Sequence, residues 1–115
     1  MRRDEDELDL YRMQAAIAKV LGNPVRLRIL TLIGDREVAY GALLDDVGVS
    51  KPNLSQHLAL MRNVGIVTVR RDGTHAHYRL TFPEIKALCS AMRGILAKHL
   101  GRHARQGRRL RRSRP

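Results

Sequence analysis

The feature that most constrains the fold of this chain is a change of hydrophobic period at Gly65. Before it, apolar residues recur at helical spacing. After it, two β-rich runs flank Asp72-Gly73, a dipeptide typical of a tight hairpin turn. From Phe82 the helical period returns and continues to about His103. This order predicts a mainly α-helical chain that carries one small β-hairpin.

Capping residues divide the region before the hairpin into four short helices. The first is predicted within the stretch "LDLYRMQAAIAKVLG". The second opens with Asn23 as N-cap and Pro24 at the first helical position, where the missing N–H of proline costs nothing. The third covers roughly residues 40–47 and is closed by Gly48. The fourth begins after Ser50, its predicted N-cap, and stops at Gly65.

The fourth helix has two unlike sides. One side is apolar and carries Leu54, Leu58, Met61 and Val64. The other concentrates short hydrogen-bonding side chains near its N-terminal end, which suits the major groove of DNA. Amides there can read base edges because they donate and accept at once, whereas hydroxyls, lysine and the hairpin arginines suit phosphates. The predicted DNA-binding residues are Ser50, Lys51, Asn53, Ser55, Gln56, His57, Arg70 and Arg71.

The charge distribution favours a polyanionic partner. The chain of 115 residues has a formal net charge of +11, and residues 10–100 alone hold 13 basic and six acidic groups. Residues 1–9 are predicted to be a flexible acidic arm, residues 10–103 the folded domain, and residues 104–115 a disordered arginine-rich tail that adds non-specific affinity for DNA. The alternative is a basic surface that serves solubility alone.

Two stretches carry a family resemblance. "LGNPVRLRIL" and "SKPNLSQHLALMRNVGIVTVRRDGTHAHYRL", with the order of elements around them, resemble the ArsR/SmtB family of winged helix-turn-helix transcription regulators over roughly residues 14–100. The resemblance implies a homodimer, held by the first and last helices, that binds an inverted-repeat operator and usually represses transcription. It also implies an inducer, most often a metal ion.

The last predicted helix supports a dimer independently of the resemblance. Its apolar stripe is wide for a terminal helix on so small a domain, and a second copy would cover what one chain cannot. The stripe comprises Ile85, Leu88, Met92, Ile95 and Leu96. A purely intramolecular role for this stripe is the alternative.

The sequence departs from the thiolate-based sensors of the family. Many members carry a Cys-x-Cys pair on the third helix, where this chain has Ala39 and Gly41. Other members place a histidine on the last helix where Lys86 stands. Cys89 is the one cysteine, so it is predicted to be a small packed residue rather than half of a redox pair. Sensing of arsenic, cadmium or lead through thiolates is therefore disfavoured.

Histidines remain as candidate metal ligands. His99 and His103 are spaced i, i+4, so that two imidazoles could share one ion. His75 and His77 point to one side of the second hairpin strand. The acids of the N-terminal arm that could complete such a site are Asp4, Glu5, Asp6 and Asp9. Imidazole with carboxylate suits nickel or zinc, but the histidines could equally interact with the helix end, with phosphate or with solvent.

Three further functions compete with a metal-responsive regulator. An architectural or RNA-associated basic protein would use the charge without reading sequence, and an ArsR-like regulator controlled by an accessory protein would look the same. An enzyme is excluded because the sequence has no nucleophile beside a base, no glycine-rich phosphate loop and no paired carboxylates. Since no apolar run of 18 residues and no signal region is present, a soluble, cytoplasmic setting without membrane contact is expected.

Overall fold

The computed structural model describes the backbone of residues 3–112 and the side chains of residues 3–105. Five helices and three short strands alternate along these residues, which confirms the predicted mainly α-helical fold with a small hairpin. In chain order they are α1 (Arg3–Leu21), α2 (Pro24–Ile33), β1 (Val38–Ala39), α3 (Tyr40–Val47), α4 (Lys51–Asn63), β2 (Val67–Asp72), β3 (His75–Leu80) and α5 (Glu84–Arg112).

The predicted caps are present at the helix ends. The Asn23 side-chain oxygen accepts hydrogen bonds from the backbone N–H groups of Val25 and Arg26, at 2.9 and 3.2 Å. Ser50 Oγ accepts from the N–H of Asn53 at 3.4 Å. Gly48 ends α3 with a φ of 79°, in the left-handed region that glycine adopts without steric cost. These local contacts set where α2, α3 and α4 begin or end.

The strands form an antiparallel sheet in the order β1-β3-β2. The last pair of the hairpin joins Asp72 to His75, so its two-residue loop is Gly73-Thr74, one residue later than the predicted Asp72-Gly73. Gly73 has a φ of 61°, as the first central residue of a type II′ turn requires. The sequence analysis missed β1 because two residues carry no periodicity, and this strand exists only through its pairing with β3.

The core lies among α2, α3, α4 and the inner face of the sheet. α1 contributes only its C-terminal residues, and α5 contributes one buried side chain. The buried residues are Val20, Leu21, Ile29, Leu30, Ile33, Val38, Leu43, Leu54, Leu58, Met61, Ile66, Val67, Tyr78, Leu80 and Cys89. Burial of Cys89 raises the pKa of its thiol through desolvation, so the side chain is a packed residue, as predicted.

Both chain ends differ from the sequence prediction. The predicted flexible arm (residues 1–9) is helical from Arg3, and the predicted disordered tail (residues 104–115) is helical to Arg112. Acids in the first turn of α1 interact favourably with the helix N-terminus. Arginine, alanine and glutamine have high helix propensity, and extending a formed helix avoids the cost of nucleation. Residues 1–2 and 113–115 lie outside the described residues.

The two terminal helices carry most of the exposed apolar surface. α5 has 29 residues and is therefore about 43 Å long. The large apolar side chains exposed on α1 and α5 are Leu8, Leu10, Tyr11, Met13, Ile17, Leu88, Met92, Ile95, Leu96 and Leu100. None of the described helices is long and apolar enough to cross a membrane.

Candidate nucleic-acid interface

The polar edge of α4 faces solvent, while its apolar edge holds it in the core. Leu54, Leu58 and Met61 are at most 2% exposed. The exposed side chains of the predicted set on this helix are Lys51, Asn53, Ser55 and Gln56. Because α4 follows α3 through the left-handed turn at Gly48, the two helices form a helix-turn-helix whose second helix presents donors and acceptors outward.

Two members of the predicted set have other roles in the described chain. Ser50 Oγ is engaged as the N-cap of α4. His57 is half-buried, and its Nδ1 lies 3.3 Å from an Nη atom of Arg26 on α2. Burial, and then the neighbouring positive charge of Arg26, lower the pKa of His57, which favours the neutral imidazole. The structure therefore sets His57 back from the exposed edge of α4, whereas Ser50 caps the helix and stays exposed at its start.

Tyr40 positions the N-terminal half of α4 and was missed in the sequence. Its hydroxyl donates to the backbone carbonyl of Lys51 at 3.2 Å and lies 2.9 Å from Ser55 Oγ. The phenol thus ties the start of α3 to the first turns of α4. Residues that are 11 and 15 positions apart carry no common sequence pattern, so only the three-dimensional structure reveals this contact.

Two arginines on α2 brace the same unit. Arg26 donates from Nε to the carbonyl of Val20 at the end of α1 while it contacts His57. Arg28 donates to the carbonyl of Asp46 from Nη2 and Nε, at 2.9 and 3.3 Å. Asp46 lies in the last turn of α3, where carbonyl groups lack partners within the helix. α2 is therefore the frame to which α1, α3 and α4 are tied.

The wing is the β2–β3 hairpin, and its two predicted DNA-binding arginines have different surroundings. Arg71 is exposed. Arg70 instead makes a bidentate contact with Glu37, with Nη2 2.6 Å from one carboxylate oxygen and Nε 3.2 Å from each. This pairing lowers the pKa of Glu37 and raises that of Arg70, so both groups stay charged. The sequence alone assigns Arg70 to phosphate, because it does not reveal this partner 33 residues away.

The candidate metal ligands are only partly brought together. His99 and His103 face each other on α5, with their Nε2 atoms 2.9 Å apart. His75 is exposed and His77 half-buried on one face of β3, as the alternation predicts. Among the side chains of residues 3–105, no three histidine, cysteine or acidic groups lie close enough to hold a metal ion. The acids at the start of α1 therefore do not complete a site with the α5 histidines in one chain.

Comparison with known proteins agrees with this geometry. A family described as a helix-turn-helix domain matches residues 21–70. The transcriptional regulator Rv0081 of Mycobacterium tuberculosis, an uncharacterised protein of helix-turn-helix type, is 41% identical over 92 residues, which cover 79% of this chain and 81% of that one. The biofilm growth-associated repressor of Xylella fastidiosa is 36% identical, with 68% of each chain covered.

Solved structures extend the likeness to the whole fold. The crystal structure of Rv0081 superposes with a TM-score of 0.76 at 40% identity and covers 83% of this chain and 96% of that one. The homodimeric winged helix-turn-helix DNA-binding domain of Mycobacterium bovis Mb0332, described as a possible ArsR-family regulator, has a TM-score of 0.76 at 29% identity, with 84% and 90% covered. This chain belongs to the ArsR/SmtB family of winged helix-turn-helix transcription regulators.

Membership of the ArsR/SmtB family settles the class of activity. The chain is a DNA-binding transcription regulator, since the relatives and structures it matches are regulators that share its winged helix-turn-helix. The same matches confirm the prediction that it is not an enzyme. The residues that contact DNA, the response to a metal and the use of an accessory protein stay predictions.

Proposed function

We propose that this ArsR-type regulator binds an inverted-repeat operator as a homodimer and reads base edges with Asn53 and Gln56. The main support is the orientation of α4, which buries its apolar side and leaves both amides exposed in its first half. An amide can pair with adenine through two hydrogen bonds in the major groove. Lys51 and Ser55 on the same helix and Arg71 on the hairpin are also exposed, and their side chains suit phosphates.

The exposed apolar sides of α1 and α5 support the homodimer. In one chain Ile95 is 68% exposed and Met13 is 65% exposed. Several apolar neighbours at helical spacing are exposed as well. Apolar surface of this extent marks an interaction site in a soluble domain. A second copy related by a two-fold axis would cover it and would present two α4 helices to two half-sites of a palindrome.

The test is a fluorescence-anisotropy titration on the chain's own upstream promoter DNA and on a scrambled duplex at near-physiological salt. Wild type is expected to prefer the promoter. Gln56→Ala is expected to weaken promoter binding by about 5- to 150-fold, the cost of one lost bidentate base contact, and to change scrambled binding little. Gln14→Ala removes the same side chain from exposed α1 and is the matched control.

Two outcomes of this titration count against the proposal. Equal losses of Gln56→Ala on both duplexes would contradict base readout by that side chain. Equal, steeply salt-dependent binding of wild type to both duplexes would instead favour an architectural protein that uses charge alone.

We also propose that the histidine pair on α5 supplies two of the ligands of a divalent metal, nickel or zinc, shared with a second copy. The 2.9 Å between the Nε2 atoms of His99 and His103 supports this role, because two imidazoles on one tetrahedral zinc ion lie about 3.3 Å apart. The remaining ligands are not present in the described part of one chain. Calorimetric titration of the dimer with nickel or zinc should therefore detect binding, and His99→Ala should abolish it.

Two further predictions concern an accessory protein and the cellular setting. Promoter binding that responds to neither nickel nor zinc would favour control of DNA release or recruitment by an accessory protein. We also infer a cytoplasmic setting, as the sequence predicts.

A further inference from the structure

We propose that Glu37 sets the DNA specificity of the wing by holding Arg70 away from the phosphate backbone until specific docking occurs. The inference rests on the proposed function in that the wing meets DNA and α4 reads base edges. The contact itself is the bidentate pair described above, in which one Glu37 oxygen lies 2.6 Å from Arg70 Nη2. Glu37 precedes β1, whereas Arg70 lies on β2, 33 residues later.

The strand register shows what this contact does to the arginine. Arg70 on β2 is paired with His77 on β3, and His77 is paired on its other side with Ala39 of β1. To reach Glu37, the Arg70 side chain must therefore cross β3 over the outer face of the sheet. The guanidinium is drawn toward β1, away from the strand that bears it. Arg71 alternates to the opposite face and makes no such contact within the described residues.

The charges around Glu37 explain why the pair is stable yet exchangeable. Arg70, His77 and Arg79 all act to lower the pKa of Glu37, so its carboxylate is charged at neutral pH. The Arg70 side chain is 55% exposed, so water and phosphate both have access to its guanidinium. A DNA phosphate would offer Arg70 the same bidentate geometry as the carboxylate. To contact the Arg70 guanidinium, a DNA phosphate must therefore displace the Glu37 carboxylate. The two negative charges repel each other as the DNA approaches.

This competition bears unequally on the two kinds of DNA. Non-specific binding draws almost entirely on phosphate contacts, so a masked arginine removes part of its driving force. Specific binding adds base contacts from α4, and these can offset the displacement of Glu37. Glu37 is thus expected to weaken binding to arbitrary DNA more than binding to the operator.

The test measures binding to scrambled and promoter duplexes over a series of salt concentrations. Glu37→Gln is expected to tighten binding to scrambled DNA by roughly two- to five-fold at near-physiological salt, the range for loss of an exposed ion pair. The salt slope should steepen by about 0.9 for each protomer, the value for one additional phosphate contact. Asp35→Asn is the matched control, because it removes the same charge from the same loop but releases Lys86 of α5.

A double-mutant cycle with Arg70→Ala separates the proposed contact from a general change of charge. Arg70→Ala should weaken scrambled-DNA binding more in the Glu37→Gln background than in wild type, because only there is the arginine free. Equal tightening by Glu37→Gln and Asp35→Asn, or equal losses of Arg70→Ala in both backgrounds, would overturn the proposal. Binding to the scrambled duplex tests the masking of Arg70 by Glu37 even where wild type shows no promoter preference, the result that would defeat the proposed operator function.

Discussion

The winged-helix body and the two terminal helices bury their apolar side chains to very different extents. In the body, Ile29 on α2 and Leu54 on α4 are fully buried. On α5, by contrast, Ile95 is 68% exposed although it follows the same helical spacing as a core residue. One chain thus completes the DNA-binding body by itself, whereas α1 and α5 present exposed apolar surface, which we propose a second copy covers.

This difference teaches that stability and assembly are separable in this regulator. α1 packs on the body through Val20 and Leu21 at its C-terminal end, and α5 packs on it through Ile85 and Cys89 near its N-terminal end, so each terminal helix is anchored at one end. Substitutions in the body should act on the folding of one chain. Substitutions on the exposed faces should act on the association of two chains and, through that, on operator binding.

The largest expected effect is that of a cavity in the body. Ile29→Ala removes a fully buried side chain and should lower the free energy of unfolding by about 2–5 kcal/mol. Urea denaturation followed by circular dichroism measures it. Leu10→Ala, at a 65% exposed position on α1, is the control. A smaller loss for Ile29 than for Leu10 would invert the comparison between the two regions.

The second effect is expected at the dimer surface. Ile95→Glu places a charge on the exposed apolar face of α5 and should raise the dimer dissociation constant by roughly 30-fold, equivalent to about 2 kcal/mol. Sedimentation equilibrium measures the constant, and far-ultraviolet circular dichroism should stay unchanged. Ser90→Glu adds the same charge at another exposed position of α5. If both variants dimerise as wild type does, α5 is not the interface.

A smaller effect is expected where α3 positions α4. Tyr40→Phe removes the hydroxyl that contacts the Lys51 carbonyl and Ser55 Oγ, and should cost about 1 kcal/mol of stability. Promoter affinity should fall with it, because the first turns of α4 lose a fixed position. Tyr11→Phe, which loses an exposed hydrogen bond to Glu7 on α1, is the control. Equal promoter affinity in the two variants would remove Tyr40 from the positioning role.

The smallest effect is a pH dependence at the contact between α4 and α2. Because the folded chain lowers the pKa of His57 below its ordinary value of 6.5, folding favours the neutral imidazole. The stability that this group contributes is complete above pH 6.5 and is lost as pH falls through the lower folded pKa. Urea midpoints of wild type and His57→Gln between pH 7.5 and about 5 measure it. The variant should lose less stability on acidification, and parallel curves would contradict the assignment.

The sequence predicted those parts of the fold that neighbouring residues decide. Asn23, Ser50 and Gly48 specify helix ends through hydrogen bonds and backbone angles within a few residues, so α2, α3 and α4 could be placed from them. The apolar spacing of α4 predicted its buried and exposed sides for the same reason. The candidate amides, Asn53 and Gln56, followed directly from that spacing.

Local patterns failed where a second segment or a helix extension decides the outcome. β1 has only two residues, and pairing with β3 alone makes it a strand. The acidic N-terminal end and the arginine-rich C-terminal end lack apolar periodicity, which predicts disorder. Both nevertheless continue helices that are already nucleated.

By itself, then, the sequence determined the order of elements, the winged helix-turn-helix and the side of α4 that faces outward, because each depends on contacts within one or two helical turns. Only the tertiary structure decided the partners of the charged and polar side chains. It turned His57 toward Arg26 and drew Arg70 to Glu37, across 31 and 33 residues. Such pairs depend on how the elements pack, and side-chain hydrogen bonds at that separation leave no periodicity in the sequence.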